Sequence, residues 1–342
     1  MKKVYTITFG DVAENHAKMQ KIGTLHEKGY SVEKLKKIDE KLKGYGLETE
    51  MIDLNVGNEF ADAKVLVIRR GAQYILGEET SGLMEENDEL TMDKKAFMKG
   101  RVVNKVARWN LCFADEDQEP DYEDGKGRIV AWKHIPRISR IREIISEWTE
   151  DVQLNGEANY YYDISQCGIG FHGDGERRKV FAVRMGETMS IYFKWYQNSK
   201  VVGEPFEVVL NDGDMYIMSE KAVGFDWLKK KIPTLRHSTG CSKFTGIKIA
   251  AEIEIEEKKE ALKEAKEAQK KKKEAELNAK KALIAEAKAA KLAEKEAQKK
   301  KKEAELNAKK ALIAEAKAAK LAEKEEQKKK KEAKLAVKKG CH

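Results

Sequence analysis

Apolar and polar positions recur in three ways along this chain, and each predicts a different kind of structure. Over residues 1–95 the pattern switches between strand and helix. Val4–Phe9 is a strand candidate. Ser31 can N-cap a helix whose apolar positions Val32, Leu35, Ile38 and Leu42 fall at helical spacing, and Gly44 and Gly46 end it. Glu48–Leu54 and Ala63–Ile68 follow as strands, and the unbroken Val65-Leu66-Val67-Ile68 suits a buried one. This segment predicts a small α/β domain without a glycine-rich phosphate loop, and its role is not legible.

Residues 96–256 predict a second domain. It opens with strand-like pieces in Val102–Phe113, an acidic loop Asp115–Asp124 and a turn leading into Arg128–Trp132. After Pro136, a good first helical residue, Ile138, Ile141, Ile144, Ile145 and Trp148 make one apolar helix face. Short segments then recur between turns: Tyr160–Ile164, Gly168–Gly173, Val180–Met185, Ser190–Tyr196, Phe206–Leu210, Met215–Met218 and Thr245–Ile255. Many short strands at this spacing predict a sandwich or jelly roll.

The third pattern is a repeat. Ala268–Glu296 recurs unchanged as Ala297–Glu325, and Gln269, Gln298 and Gln327 mark a 29-residue period. Eight helical turns take up that period at about 3.6 residues each, so every copy keeps its face on a straight helix. Leu277, Leu283, Ile284 and Leu292 do not form a heptad seam. The expectation for 257–342 is a long charged helix or a disordered arm. The whole is then α+β: a jelly-roll core, a small N-terminal α/β domain and a long C-terminal helix.

Charge changes the picture. The chain is formally +8, but residues 257–342 hold 29 Lys and 16 Glu, a net +13, which leaves the remainder at −5. A mildly acidic body therefore carries a basic tail. The apolar stretch after Met1-Lys2-Lys3 meets Asp11 almost at once, too early for a secretory signal, and no run is long enough to span a membrane. Cys112, Cys167, Cys241 and Cys341 are widely spaced, which argues against a zinc ribbon or disulfide scaffold. An intracellular protein of cytoplasm or nucleus is expected.

The candidate chemistry lies in Gly170-Phe171-His172-Gly173-Asp174. On a strand, residues i and i+2 face one side, so His172 and Asp174 can offer an imidazole and a carboxylate to one point. A second His would complete a 2-His-1-carboxylate set, which leaves coordination positions open and suits non-haem Fe(II). Only His237 and the terminal His342 follow the pair, and His237 lies within the β region. A surface turn is the bland alternative for His-x-Asp alone.

Asn159-Tyr160-Tyr161-Tyr162, then His172-Gly173-Asp174-Gly175-Glu176-Arg177, then Gly213-Asp214-Met215-Tyr216-Ile217-Met218, then His237 resembles the AlkB-like branch of the 2-oxoglutarate/Fe(II) dioxygenases. The resemblance covers residues 159–255. It implies a double-stranded β-helix holding Fe(II), with 2-oxoglutarate as cosubstrate and O2 as oxidant, and His172, Asp174 and His237 as ligands. It also implies that Asn159, Tyr161 and Tyr162 hydrogen-bond the cosubstrate. One departure concerns the cation for the distal carboxylate. The family places arginines after the distal His, whereas Arg236 is the last arginine here. Lys248, on the strand predicted over 245–255, is the candidate, with Lys243 and Arg184 as rivals.

The resemblance implies hydroxylation or oxidative demethylation of a nucleobase or nucleic acid. A protein or small-molecule hydroxylase is the alternative within the superfamily. A non-catalytic jelly roll displaying a polyanion-binding tail is the alternative outside it. Arg177-Arg178-Lys179 and the tryptophans 109, 132, 195 and 227 are candidates for substrate contact, against solvated-turn and core readings. The tail is a candidate for holding nucleic acid by phosphate neutralisation, against a plain spacer.

Overall fold

The computed structural model describes residues 2–55, 60–248 and 250–339. Cys341 and His342 lie outside the described residues. Residues 1–250 form one compact unit and 251–342 a second, and no division falls at residue 95.

In chain order the first unit contains β1 (Val4–Gly10), β2 (Val12–Glu14), β3 (Lys21–Gly23), α1 (Val32–Gly44), β4 (Thr49–Asp53) and β5 (Lys64–Ile68). Short helices α2 (Gly71–Leu76) and α3 (Leu83–Asp88) precede β6 (Lys95–Met98), β7 (Arg101–Asn104), β8 (Trp109–Ala114), β9 (Ile129–Ala131) and α4 (Pro136–Thr149). Then come β10 (Asn155–Tyr161), β11 (Gly168–His172), β12 (Val180–Gly186), β13 (Ile191–Gln197), β14 (Lys200–Val208) and β15 (Met215–Met218). The unit ends with α5 (Glu220–Val223), β16 (Thr234–Gly240) and α6 (Ser242–Thr245).

Eight strands make one sheet in the order β4-β5-β15-β12-β1-β10-β8-β9, and four make another in the order β11-β16-β13-β14. Pairing in the large sheet is antiparallel except between β8 and β9. The fold is therefore α+β with several antiparallel sheets.

Alternation along the strands assigns the faces. On β1, Tyr5, Ile7 and Phe9 enter a core with Leu35, Ile38 and Leu42 of α1 and with Ile138, Ile141, Ile145 and Trp148 of α4. Leu66, Ile68, Phe181, Val183, Met215 and Ile217 join that face. The opposite set, Val65, Val67, Val180, Ala182, Tyr216 and Met218, packs instead with Ile191, Phe193, Trp195 and Leu235 of the small sheet. The large sheet is thus covered by helices on one side and by the small sheet on the other, as a period of two requires.

Both predicted helices form where the spacing put them. The Ser31 side chain accepts the Lys34 N–H at 3.1 Å, capping α1. No side chain on Ile135 can cap α4, so Glu86 from α3 accepts the N–H groups of Arg137 and Ile138, each at 3.1 Å. An anion at a helix N-terminus also complements its dipole.

Two expectations change. Val4–Phe9 does not belong to a separate domain: β1 sits between β10 and β12 near the centre of the large sheet. No strand forms among the described residues of the expected Thr245–Ile255 strand. Thr245 ends α6, Gly246 takes φ +65°, and α7 (Ala250–Lys339) follows. The apolar run that suggested a strand is the start of a helix, and the slot between β10 and β12 is already filled by β1.

The second unit is α7, which at 1.5 Å per residue is about 135 Å long. Its repeated Leu277, Leu283, Ile284 and Leu292 are all more than half exposed. Helix propensity and i,i+4 pairs such as Glu326–Lys330, at 2.8 Å, stabilise it locally.

Candidate metal centre

His172 and His237 stand opposite one another on neighbouring strands β11 and β16. Asp174 lies two residues past the end of β11, so a turn aims it rather than strand alternation alone. That turn needs Gly173, because a Cβ there would sit 2.2 Å from the Gly224 carbonyl oxygen. The Asp174 N–H donates to the Val223 carbonyl at 3.0 Å and fixes the loop against α5.

The three side chains converge. Asp174 Oδ1 lies 3.6 Å from His172 Nε2 and 3.4 Å from His237 Nε2. One ligand atom from each residue falls within 4.8 Å of the others; His237 is buried and His172 and Asp174 are half-buried. These separations suit three ligands on one face of a cation at ordinary N and O bond lengths. His172 Nδ1 lies 2.8 Å from the Gly170 carbonyl oxygen, which selects the tautomer with a free Nε2. Burial first, and then His237 beside it, lower the His172 pKa to about 3, so the ring is neutral and ready to ligate.

Behind the carboxylate stands Arg177, itself buried. It contacts Asp174 Oδ2 at 3.6 Å and Glu176 at 2.9 Å, and pairs with buried Glu157. Burial alone would raise the Asp174 pKa, but His237, Arg177 and His172 outweigh it and hold the carboxyl ionised. Glu176 is pushed up to about 7, mainly by burial. The sequence offered Arg177-Arg178-Lys179 as substrate contacts or a solvated turn. All three instead form ion pairs: Arg177 with buried Glu157, Lys179 with Asp151, and Arg178 with the partly exposed Glu220. Only the acidic residues around them hint at this in the sequence.

The triad opens into a cavity of about 640 Å³ between the two sheets. Large-sheet residues facing away from the helices line it: Thr6, Thr8, Glu157, Asn159, Tyr161 and Arg184. Arg184 is 1% exposed, and its Nε and Nη1 have no partner among the described residues. Thr6 Oγ1 and Ser238 Oγ, in the same lining, are also buried and unpartnered. A buried guanidinium with unmet donors is costly unless an anion joins it.

The remaining expected site residues divide. Tyr161 is buried in the cavity wall, and Asn159 lines it while its Oδ1 accepts from Arg108 at 2.6 Å and Asn110 at 2.8 Å. Tyr162 is outside the lining; its hydroxyl donates to the Val106 carbonyl at 2.8 Å and its ring stacks on Trp109. Lys248 is exposed in the link between α6 and α7, and Lys243 is exposed on α6; neither lines the cavity. Trp132 and Trp195 are core, while Trp227 reaches the cavity.

No known family's sequence model matches the chain. It is, however, 48% identical over 250 residues to the uncharacterized protein R156 of Acanthamoeba polyphaga mimivirus. At that identity the chain belongs to the family of the mimivirus protein. The match takes up 98% of the relative and 71% of this chain, so most of the residues left over here have no counterpart there. None of the described helices is long and apolar enough to cross a membrane.

Proposed function

We propose that this chain is an Fe(II)- and 2-oxoglutarate-dependent dioxygenase acting on a nucleobase or nucleic acid. The convergence of His172, Asp174 and His237 carries the reading, because a facial set of two imidazoles and one carboxylate leaves positions open for chelation and oxygen. Bound there, Fe(II) would couple O2 and 2-oxoglutarate so that one oxygen atom enters succinate, with release of CO2, and the other enters a substrate C–H bond.

The strand order supports a jelly-roll core. From β10 to β16 the chain visits the large sheet, the small sheet, the large, the small twice, the large and the small again. A closing strand between β10 and β12 would complete eight, and β1 occupies that position. The chain's own residues would then act as follows. Arg184, with Thr6 and Ser238, would grip the distal carboxylate of 2-oxoglutarate, the cation that the missing C-terminal strand does not supply. Tyr161 and Tyr216 sit close enough to Arg184 to feel its charge and would line the same pocket. Arg177 would hold Asp174 Oδ2 so that Oδ1 faces the histidines.

Anaerobic addition of Fe(II) and 2-oxoglutarate should give a visible charge-transfer band, followed in air by succinate release. No band and no oxygen-dependent loss of 2-oxoglutarate would sink the proposal.

A further inference from the structure

We infer that the outer half of the cavity holds an oxyanion of the substrate, a phosphate first of all, between Lys18 and Lys21 of the β2–β3 hairpin and Arg108 beside β8. The inference rests on the oxygenase reading of the same site and names the chemistry of its substrate.

Lys18, Lys21 and Arg108 all line the cavity that holds the triad. None of the three forms an ion pair among the described residues, unlike Arg177, Arg178 and Lys179. Arg108 donates Nε to Asn159 Oδ1 at 2.6 Å, which orients its guanidinium and leaves the terminal nitrogens for another acceptor. Such a fork matches the geometry of a phosphate or carboxylate.

Three cations face one carboxylate, Glu14, that is not ion-paired with Arg177. Asp174, Glu157 and Glu176 all surround Arg177. Glu14, in the same lining, accepts the Lys18 N–H at 2.7 Å and so pins the hairpin loop, and the Lys21 charge acts on it. The outer wall therefore remains cationic although the body as a whole is acidic.

This subsite is separate from the Arg184 pocket. Arg184 is on β12, and the sheet runs β12-β1-β10-β8 to reach Arg108. Three strand spacings put the two arginine positions about 14 Å apart. The triad feels both ends: Arg108 acts on His172, while Tyr216 lies within reach of both Asp174 and Arg184. One end fits a small dicarboxylate and the other an oxyanion on the molecule to be oxidised.

The test is a lysine footprint on the full-length protein, with Fe(II) and saturating 2-oxoglutarate present and oxygen excluded. Trace acetic anhydride labels lysines, and mass spectrometry reads the rate at each one. Inorganic pyrophosphate and a short single-stranded oligonucleotide are compared with sodium chloride at equal ionic strength. Labelling of Lys18 and Lys21 should slow about fivefold or more with at least one phosphate probe, while Lys2, with a side chain 73% exposed, does not change. Protection by pyrophosphate identifies a small phosphorylated substrate, and protection by the oligonucleotide alone a polymer. Arg108→Gln should weaken the protection and Arg108→Lys should keep part of it. Rates at Lys18 and Lys21 that follow Lys2 with both probes overturn the inference. The footprint needs no turnover, so its failure is distinguishable from loss of the charge-transfer band.

Discussion

Leu35 in α1 is fully buried against the large sheet, whereas Leu283 in α7 keeps 66% of its surface in solvent. Lysines divide in the same way. Lys179 and Lys64 in the body are tied to Asp151 and Asp53, while the Lys270–Lys273 run of the tail is exposed. The body is held by contacts between residues far apart in sequence, the tail by neighbours three and four residues away. Only the first kind of order can gather His172, Asp174 and His237, Arg184 and Thr6 around one cavity. A solvated helix can repeat a charge pattern but encloses no site.

The predictions test that contrast, beginning with the largest effect. Replacing Asp174 with Ala should lower metal affinity by about 100-fold or more, since losing a ligand exceeds the 10–100-fold cost typical of outer-shell partners. Titration of Fe(II) against the charge-transfer band measures it, and folding should survive by circular dichroism. Glu→Gln changes throughout α7 should leave that band in place.

Arg184→Met should raise the concentration of 2-oxoglutarate needed for half-maximal band intensity by roughly 30-fold or more, the equivalent of about 2–5 kcal/mol. An unchanged requirement would mean that the buried guanidinium serves packing instead. Leu35→Ala should destabilise the body by about 2–5 kcal/mol in urea unfolding, while Leu283→Ala should change helix content within about 0.5 kcal/mol.

Lys105 supplies a pH effect. Burial first lowers its pKa to about 8, and its Nζ donates to Asn15 Oδ1 at 2.6 Å. Between that value and its ordinary range the unfolded chain binds the extra proton, so stability should rise as pH increases through this window. Lys105→Met should flatten the rise, as read from Tm against pH. The smallest effect concerns the tail. Changing its lysine runs to glutamine should reduce the salt dependence of oligonucleotide binding without altering 2-oxoglutarate turnover. An unchanged salt slope would leave the tail a spacer.

Helices α1 and α4 were legible because their burial repeats at the helical period and their caps or first residues are local. The repeat was legible from its identity, but a helix and a disordered arm both fitted it, and the structure shows the helix. The triad was legible in part: spacing paired His172 with Asp174, and the scarcity of histidines pointed to His237. The expected strand over 245–255, with Lys248 upon it, was not found, because an apolar run of that length fits a helix start as well as a strand. Nothing local marks Val4–Gly10 as a strand that closes a sheet against residues more than 140 positions away.

By itself the sequence determined which residue types could ligate a metal, where two helices would lie and that positive charge is concentrated after residue 256. Tertiary structure decided the rest. Strand pairing placed Thr6 beside Arg184, turned Arg177 inward toward Asp174 and left Lys18, Lys21 and Arg108 facing the cavity. Local patterns fix a residue's face and its capping. Which distant strand meets that face, and therefore which charges find partners, is settled only when the sheets assemble.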